Sequence, residues 1–227
     1  MGAPIATRMA PQRMTLNAVL TLAQWLSPSY PLGSFAYSHG LETAIAQGWV
    51  TDAESLQDWL NDVLQSGSGR SDAILLCAAY RAKTTQDLAQ VDATGRAFAS
   101  SKERLRESLH QGAAFARTTS AIWETETPEV LFPVALGWAC VQQAIPVHLA
   151  AAMYVQSFAS NIVMACVRLV PLGQTEGQAI VTALTPLCER IALDAQTATL
   201  DDLYSNAFLS DIAAMQHETL QPRLFQS

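Results

Sequence analysis

Positive charge is scarce in this sequence. Lys83 and Lys102 are its only lysines, and its 227 residues carry a formal net charge of −7. A nucleic-acid binder needs clustered cations to meet phosphates, so no nucleic-acid partner is expected. Paired cysteines are missing too. Cys77, Cys140, Cys166 and Cys188 lie far apart, form no C-x-x-C pair, and follow no secretory signal. They read as four reduced, buried, structural cysteines of a cytoplasmic protein. Strand-like alternation of apolar and polar residues is absent, and no repeat of fixed period argues for a solenoid. Charge itself disappears between Glu129 and Arg168, where His148 alone can become positive. About 20 uncharged residues suffice to cross a membrane. Gly137 and Pro146 interrupt this run, however, and Gln142, Gln143, Gln156, Ser157, Ser160 and Asn161 stud it. Two buried helices of a soluble core, with no membrane partner, explain it better.

Several chemistries lack their residues. A P-loop needs a glycine-rich turn ending in Lys-Ser/Thr, and neither lysine follows such a turn. In "PLGQTEGQ" at 171–178, Gln178 stands where the cation is required. No strand precedes a G-x-G as a dinucleotide-binding turn demands. His217-Glu218 lacks the second histidine of an H-E-x-x-H zinc helix, and the four histidines are scattered. Ser38, His39 and Glu42 suggest a hydrolase, yet adjacent side chains on a helix diverge by about 100°. Ser38 reads instead as a helix cap, and Glu42 as an early acid favoured by the helix dipole. No catalytic residue, cofactor or metal site is therefore expected.

What remains favours helices. Hydrophobic residues make up 50% of the chain, with alanine and leucine leading, and this length can bury an ordinary core. The spacing predicts helices over 14–26, 38–47 (closed by Gly48), 71–84, 85–92, 96–124, 128–143, 146–170, 175–195 and 206–219. Leu16, Val19, Leu20, Ala23 and Leu26 form the apolar row of the first. Thr51 with Glu54 predicts a capping box. After it, Leu56, Trp59, Leu60, Val63 and Leu64 form one buried stripe. A kink or restart is expected at Thr185–Pro186. The fold class is all-α: a single-domain helical bundle over 13–220, with a frayed 1–12 and a tail, 221–227, beyond the last helix.

Residues 27–42, "SPSYPLGSFAYSHGLE", fit neither helix nor indifferent loop. Pro28, Pro31, Gly33 and Gly40 shape turns, whereas Tyr30, Phe35, Tyr37 and Leu41 are too apolar for plain surface. This stretch resembles the N-terminal signature of the UreF family of urease accessory proteins. Three further blocks resemble the family in the same order: "SKERLRESLHQGAAF" at 101–115, "YVQSFASNIVMACVRLVPLGQTEGQ" at 154–178 and "MQHETLQPRLFQS" at 215–227.

The resemblance implies a non-enzymatic, all-α adaptor. Such a protein joins UreD (UreH in some organisms), recruits and regulates the nickel-carrying GTPase UreG, and supports nickel insertion into apo-urease. A homodimer within the complex is implied as well. The alternative is a metallochaperone that passes nickel through its own polar residues. On the adaptor reading, Pro31, Gly33 and Gly40 rigidify a turn that presents Phe35, Tyr37, His39 and Glu42 to a partner, with Glu42 gripping a basic residue of UreG. Arg168 is a helix-capping or partner-facing cation. Lys102, Glu103, Arg104, Arg106 and Glu107 read as a solvated helix face. Gln216, His217, Glu218, Arg223, Leu224 and Phe225 belong to the partner-binding C-terminal block. Seven residues cannot build a core alone, so the tail is expected to be mobile until UreD/UreH orders it. Arg223 would then point back to Phe35 and Tyr37, as a cation on aromatic rings.

Overall fold

The computed structural model describes residues 15–227. The fraying expected for 1–12 therefore lies outside the described residues. Ten α-helices are present among the described residues, and no strand: α1 (Leu16–Trp25), α2 (Leu41–Ala46), α3 (Ala53–Ser66), α4 (Ser68–Arg81), α5 (Thr85–Ala97), α6 (Lys102–Trp123), α7 (Phe132–Gln142), α8 (Val147–Leu169), α9 (Gln174–Ala195) and α10 (Phe208–His217). The all-α bundle is the observed fold.

The core is organised around α8. It packs most extensively on α9 and also touches α2, α3, α4 and α7. By length and composition α8 would suffice to cross a membrane, but just over half of its apolar stretch is buried against these neighbours. Its partner layer is the α4–α7 pair. Those two helices meet at Gly137, where an added side-chain carbon would lie 2.2 Å from the Leu76 carbonyl oxygen. Only a residue without a side chain permits that crossing. Helix α7 is apolar on every side, as befits a helix enclosed by others. The four cysteines are free and buried. Burial pushes the Cys77, Cys166 and Cys188 thiols up to about 11, and Cys140 higher still, so none offers a thiolate near neutral pH.

Local signals were mostly legible, with informative exceptions. Leu56, Trp59, Leu60, Val63 and Leu64 are the buried stripe of α3, as expected. The capping box is shifted by one residue: Asp52 caps, pairing reciprocally with Ser55, so Thr51 and Glu54 do not form it. Helix α9 continues through Pro186 without restarting; Thr182, whose carbonyl loses its partner there, and Pro186 both lie on the exposed face. The boundary expected between 92 and 96 lies later: α5 runs on to Ala97, and α6 begins at Lys102, where Ser101 caps it through the Arg104 amide. In α1 the buried row is Ala18, Thr21, Leu22 and Trp25, so the row chosen from sequence, with Leu16 and Leu20, faces outward.

Candidate partner-docking site

The segment before α2 is shaped by three residues with positive φ: Gly33, His39 and Gly40. Gly40 answers a second demand. A side-chain carbon there would lie 2.7 Å from the Ala214 backbone nitrogen, so its absence lets α2 and α10 close on each other. Leu41 and Ala44 seal that contact, both fully buried. Ser38, at the head of this turn, points its backbone amide at the chain's far end and donates to the Ser227 carbonyl at 2.7 Å; its hydroxyl donates to the same oxygen.

Around this contact the C-terminal tail is seated on its own chain. The Glu42 carboxylate accepts the backbone amides of Leu224 (2.7 Å) and Phe225 (3.0 Å). Gln226 donates its amide to Ala36, and the Ser227 hydroxyl donates to Glu107 at 2.8 Å. Phe225 is buried, and the Arg168 guanidinium stacks 4.7 Å from its ring centroid. Arg168 also donates to the Phe35 and Met164 carbonyls, so it ties the turn to α8 and caps that helix's end.

These contacts relocate several residues singled out from sequence. Glu42 is only 8% exposed and holds the tail, rather than standing free on a partner-facing surface. Tyr37, His39 and His217 are likewise buried. The tail, expected to be mobile without a partner, is seated here because buried acceptors already await its amides. Arg223 donates to Glu103 instead of turning to Phe35 and Tyr37; the cation over an aromatic ring is Arg168 over Phe225. Gln216 and Glu218 are exposed, and the Glu218 carboxylate accepts the Lys102 amide. Leu224 is 79% and Phe35 66% exposed. Pro31 is exposed in the turn.

Sequence reasoning missed the acids that receive the tail. Glu103 and Glu107 are buried, not part of a solvated face. A signal existed: Glu103, Glu107, Gln111, Phe115 and Thr119 step by four along α6 and share one face, which runs from tail seat to core. Glu107 is the hub of a buried polar cluster. It binds Arg104, accepts the Gln111 amide at 3.0 Å, and lies 3.2 Å from His39 Nε2. Burial, reinforced by Arg104, drives His39 well below its usual pKa, so burial disfavours the charged ring. Its Nδ1 has no partner. Beside it, Asp72 accepts the Tyr154 hydroxyl at 2.7 Å; burial, only partly offset by Arg104 and Tyr154, pushes its carboxyl up to about 6. A cavity of about 30 Å³ opens among these side chains, room for a single water. Among the described residues no group of three or more His, Cys, Asp or Glu side chains is placed to hold a metal ion.

Known proteins decide the family. The sequence model of the family described as UreF matches residues 50–185. The chain belongs to the UreF family. It is 50% identical over 214 residues to the urease accessory protein UreF of Roseobacter denitrificans, covering 94% of this chain and 96% of that protein. The UreF protein of Ruegeria pomeroyi is 47% identical over 213 residues, covering 94% and 98%. That of a Jannaschia species is 41% identical over 211 residues, covering 93% and 95%. Such coverage of both partners extends the kinship well beyond the matched core.

Proposed function

We propose that this chain is a non-enzymatic adaptor of urease maturation. It docks on UreD/UreH, recruits and regulates the GTPase UreG, and supports nickel delivery to apo-urease; it works in the cytoplasm and pairs with a second copy within the assembly. The family membership supports the maturation role, and one structural observation supports the adaptor reading. Helix α10 turns Ala213, Ala214 and His217 inward, yet leaves Phe208, Leu209, Ile212 and Met215 exposed on its other side. That is an apolar row at helical spacing on the surface, the kind of face a helix-binding partner covers. The tail, with exposed Leu224, is seated on the same α2 element against which α10 packs. Phe35, Arg168, Gln216 and Glu218 are the further residues proposed to meet a partner.

Phe208→Asp and Ile212→Asp place charges on this face without entering the core. Each variant is expected to keep its circular dichroism and lose capture of UreD/UreH, and with it UreG, in co-purification. Undiminished capture by both variants would remove α10 from the interface and leave the adaptor reading without its structural support.

A further inference from the structure

His217 is fully buried, yet it has a carboxylate on each side. Its Nδ1 lies 2.7 Å from Glu103 and its Nε2 3.1 Å from Glu42. A neutral imidazole carries one N–H and one lone pair. It would satisfy one carboxylate and aim its lone pair at the other, and its full burial denies that repulsion the screening of bulk solvent. Glu42 already uses both oxygens to accept tail amides, and Glu103 accepts from the Arg223 guanidinium. Both acids are thus bound by donors suited to their ionised forms. Two carboxylates, one guanidinium and one imidazolium sum to zero; with a neutral ring the cluster keeps an uncompensated negative charge.

We propose that His217 is held as an imidazolium and is a positioning residue for the C-terminal tail. It is the rivet between α10, α2 and α6, and it fixes the Glu42 carboxylate in the orientation that accepts the Leu224 and Phe225 amides. The charged groups around it are Glu42 from α2, Glu103 from α6, Arg223 from the tail, and its neighbour Glu218, which bonds the Lys102 amide. Because the two carboxylates lie on opposite sides of the ring, this trio clamps a proton-bearing ring and does not converge on a metal. The functional consequence, that His217 sets how the tail is offered to UreD/UreH, rests on the adaptor reading above.

The full-length protein labelled with ¹⁵N is tested first. Side-chain nitrogen–proton correlations at neutral pH are expected to show both His217 nitrogens protonated; a single-tautomer neutral ring overturns the proposal. Hydrogen exchange of His217→Gln follows. Losing a charge-assisted bond is expected to speed exchange at the Leu224 and Phe225 amides about tenfold or more, and unchanged tail protection again overturns it. In a Glu42→Gln background the same His217 substitution should have a smaller effect, because the histidine acts through that carboxylate; an undiminished effect would count against the coupling. Capture of UreD/UreH is read separately. Fast tail exchange with intact capture upholds the rivet and sinks the tail as a partner element, whereas slow exchange sinks the rivet whatever the capture.

Discussion

Asp72 shows what a single buried carboxyl does to stability. Its folded pKa of about 6 stands above the 3.8 of the free group, because burial outweighs Arg104 and Tyr154. A raised acid contributes stability that is fully present below pH about 4 and lost as pH rises through about 6. The difference corresponds to about 3 kcal/mol. His39 has the opposite sign. Its depressed pKa gives stability present above about 6.5 and lost as pH falls. The wild-type pH profile mixes the two, but Asp72→Asn isolates the first, since asparagine still accepts from Tyr154 and cannot titrate. Chemical denaturation at several pH values should show the variant gaining on wild type by up to about 3 kcal/mol between pH 4 and 6. Parallel profiles would mean that Asp72 ionises in the fold as easily as in water. Glu42 is the second residue-scale case. With its carboxylate buried and holding two amides and His217, Glu42→Ala should cost about 3 kcal/mol, a fall in Tm of roughly 6–12 °C. The sequence pointed instead to a carboxylate presented to a partner, because an acid in a helix's first turn ordinarily faces water.

Among the elements, the α2–α10 contact hinges on the absence of a side chain. Gly33 and Gly40 share a left-handed backbone, with φ of 72° and 77°. Alanine at either position meets backbone strain of roughly 1–2 kcal/mol. At Gly33 nothing lies within 4 Å, so strain is the whole cost. At Gly40 the new carbon also strikes Ala214 and must push α10 outward. Gly40→Ala should therefore lower Tm clearly more than Gly33→Ala and weaken partner capture, while Gly33→Ala leaves capture intact. Equal shifts would show that α10 yields freely. The same scale shows where helices were legible and where they were not. Helix α3 has one apolar stripe and was read correctly. Helix α1 carries apolar residues on two sides, and spacing alone cannot say which enters the core. Trp25 decides it, through edge-on contacts with Phe115 and Trp123, the latter 98 residues further along the chain.

At the scale of the whole molecule, the fold class and most elements follow from local pattern, but the tail's seat does not. Its acceptors, Glu42, Glu103 and Glu107, lie at least 120 residues before the groups they receive, and no local spacing links them to residues 223–227. Seven residues that cannot build a core of their own are expected to be mobile; the buried carboxylates supply what that expectation lacked. Removing residues 221–227 tests how that contribution is divided. Truncation opens the seat, so Glu42 and Glu107 exchange tail donors for water instead of being orphaned, while seven residues regain about 1–2 kcal/mol each of backbone freedom. The fold should survive with a Tm shift of only a few degrees, and capture of UreD/UreH should fall. Glu42→Ala should then cost less in the truncated chain than in the full one, because its two amide partners are gone and only His217 remains. Thermal melts of the four proteins give that difference directly. An identical Glu42→Ala shift in both backgrounds would mean that Glu42 stabilises α10 alone, and that the tail rests on its seat without drawing stability from it.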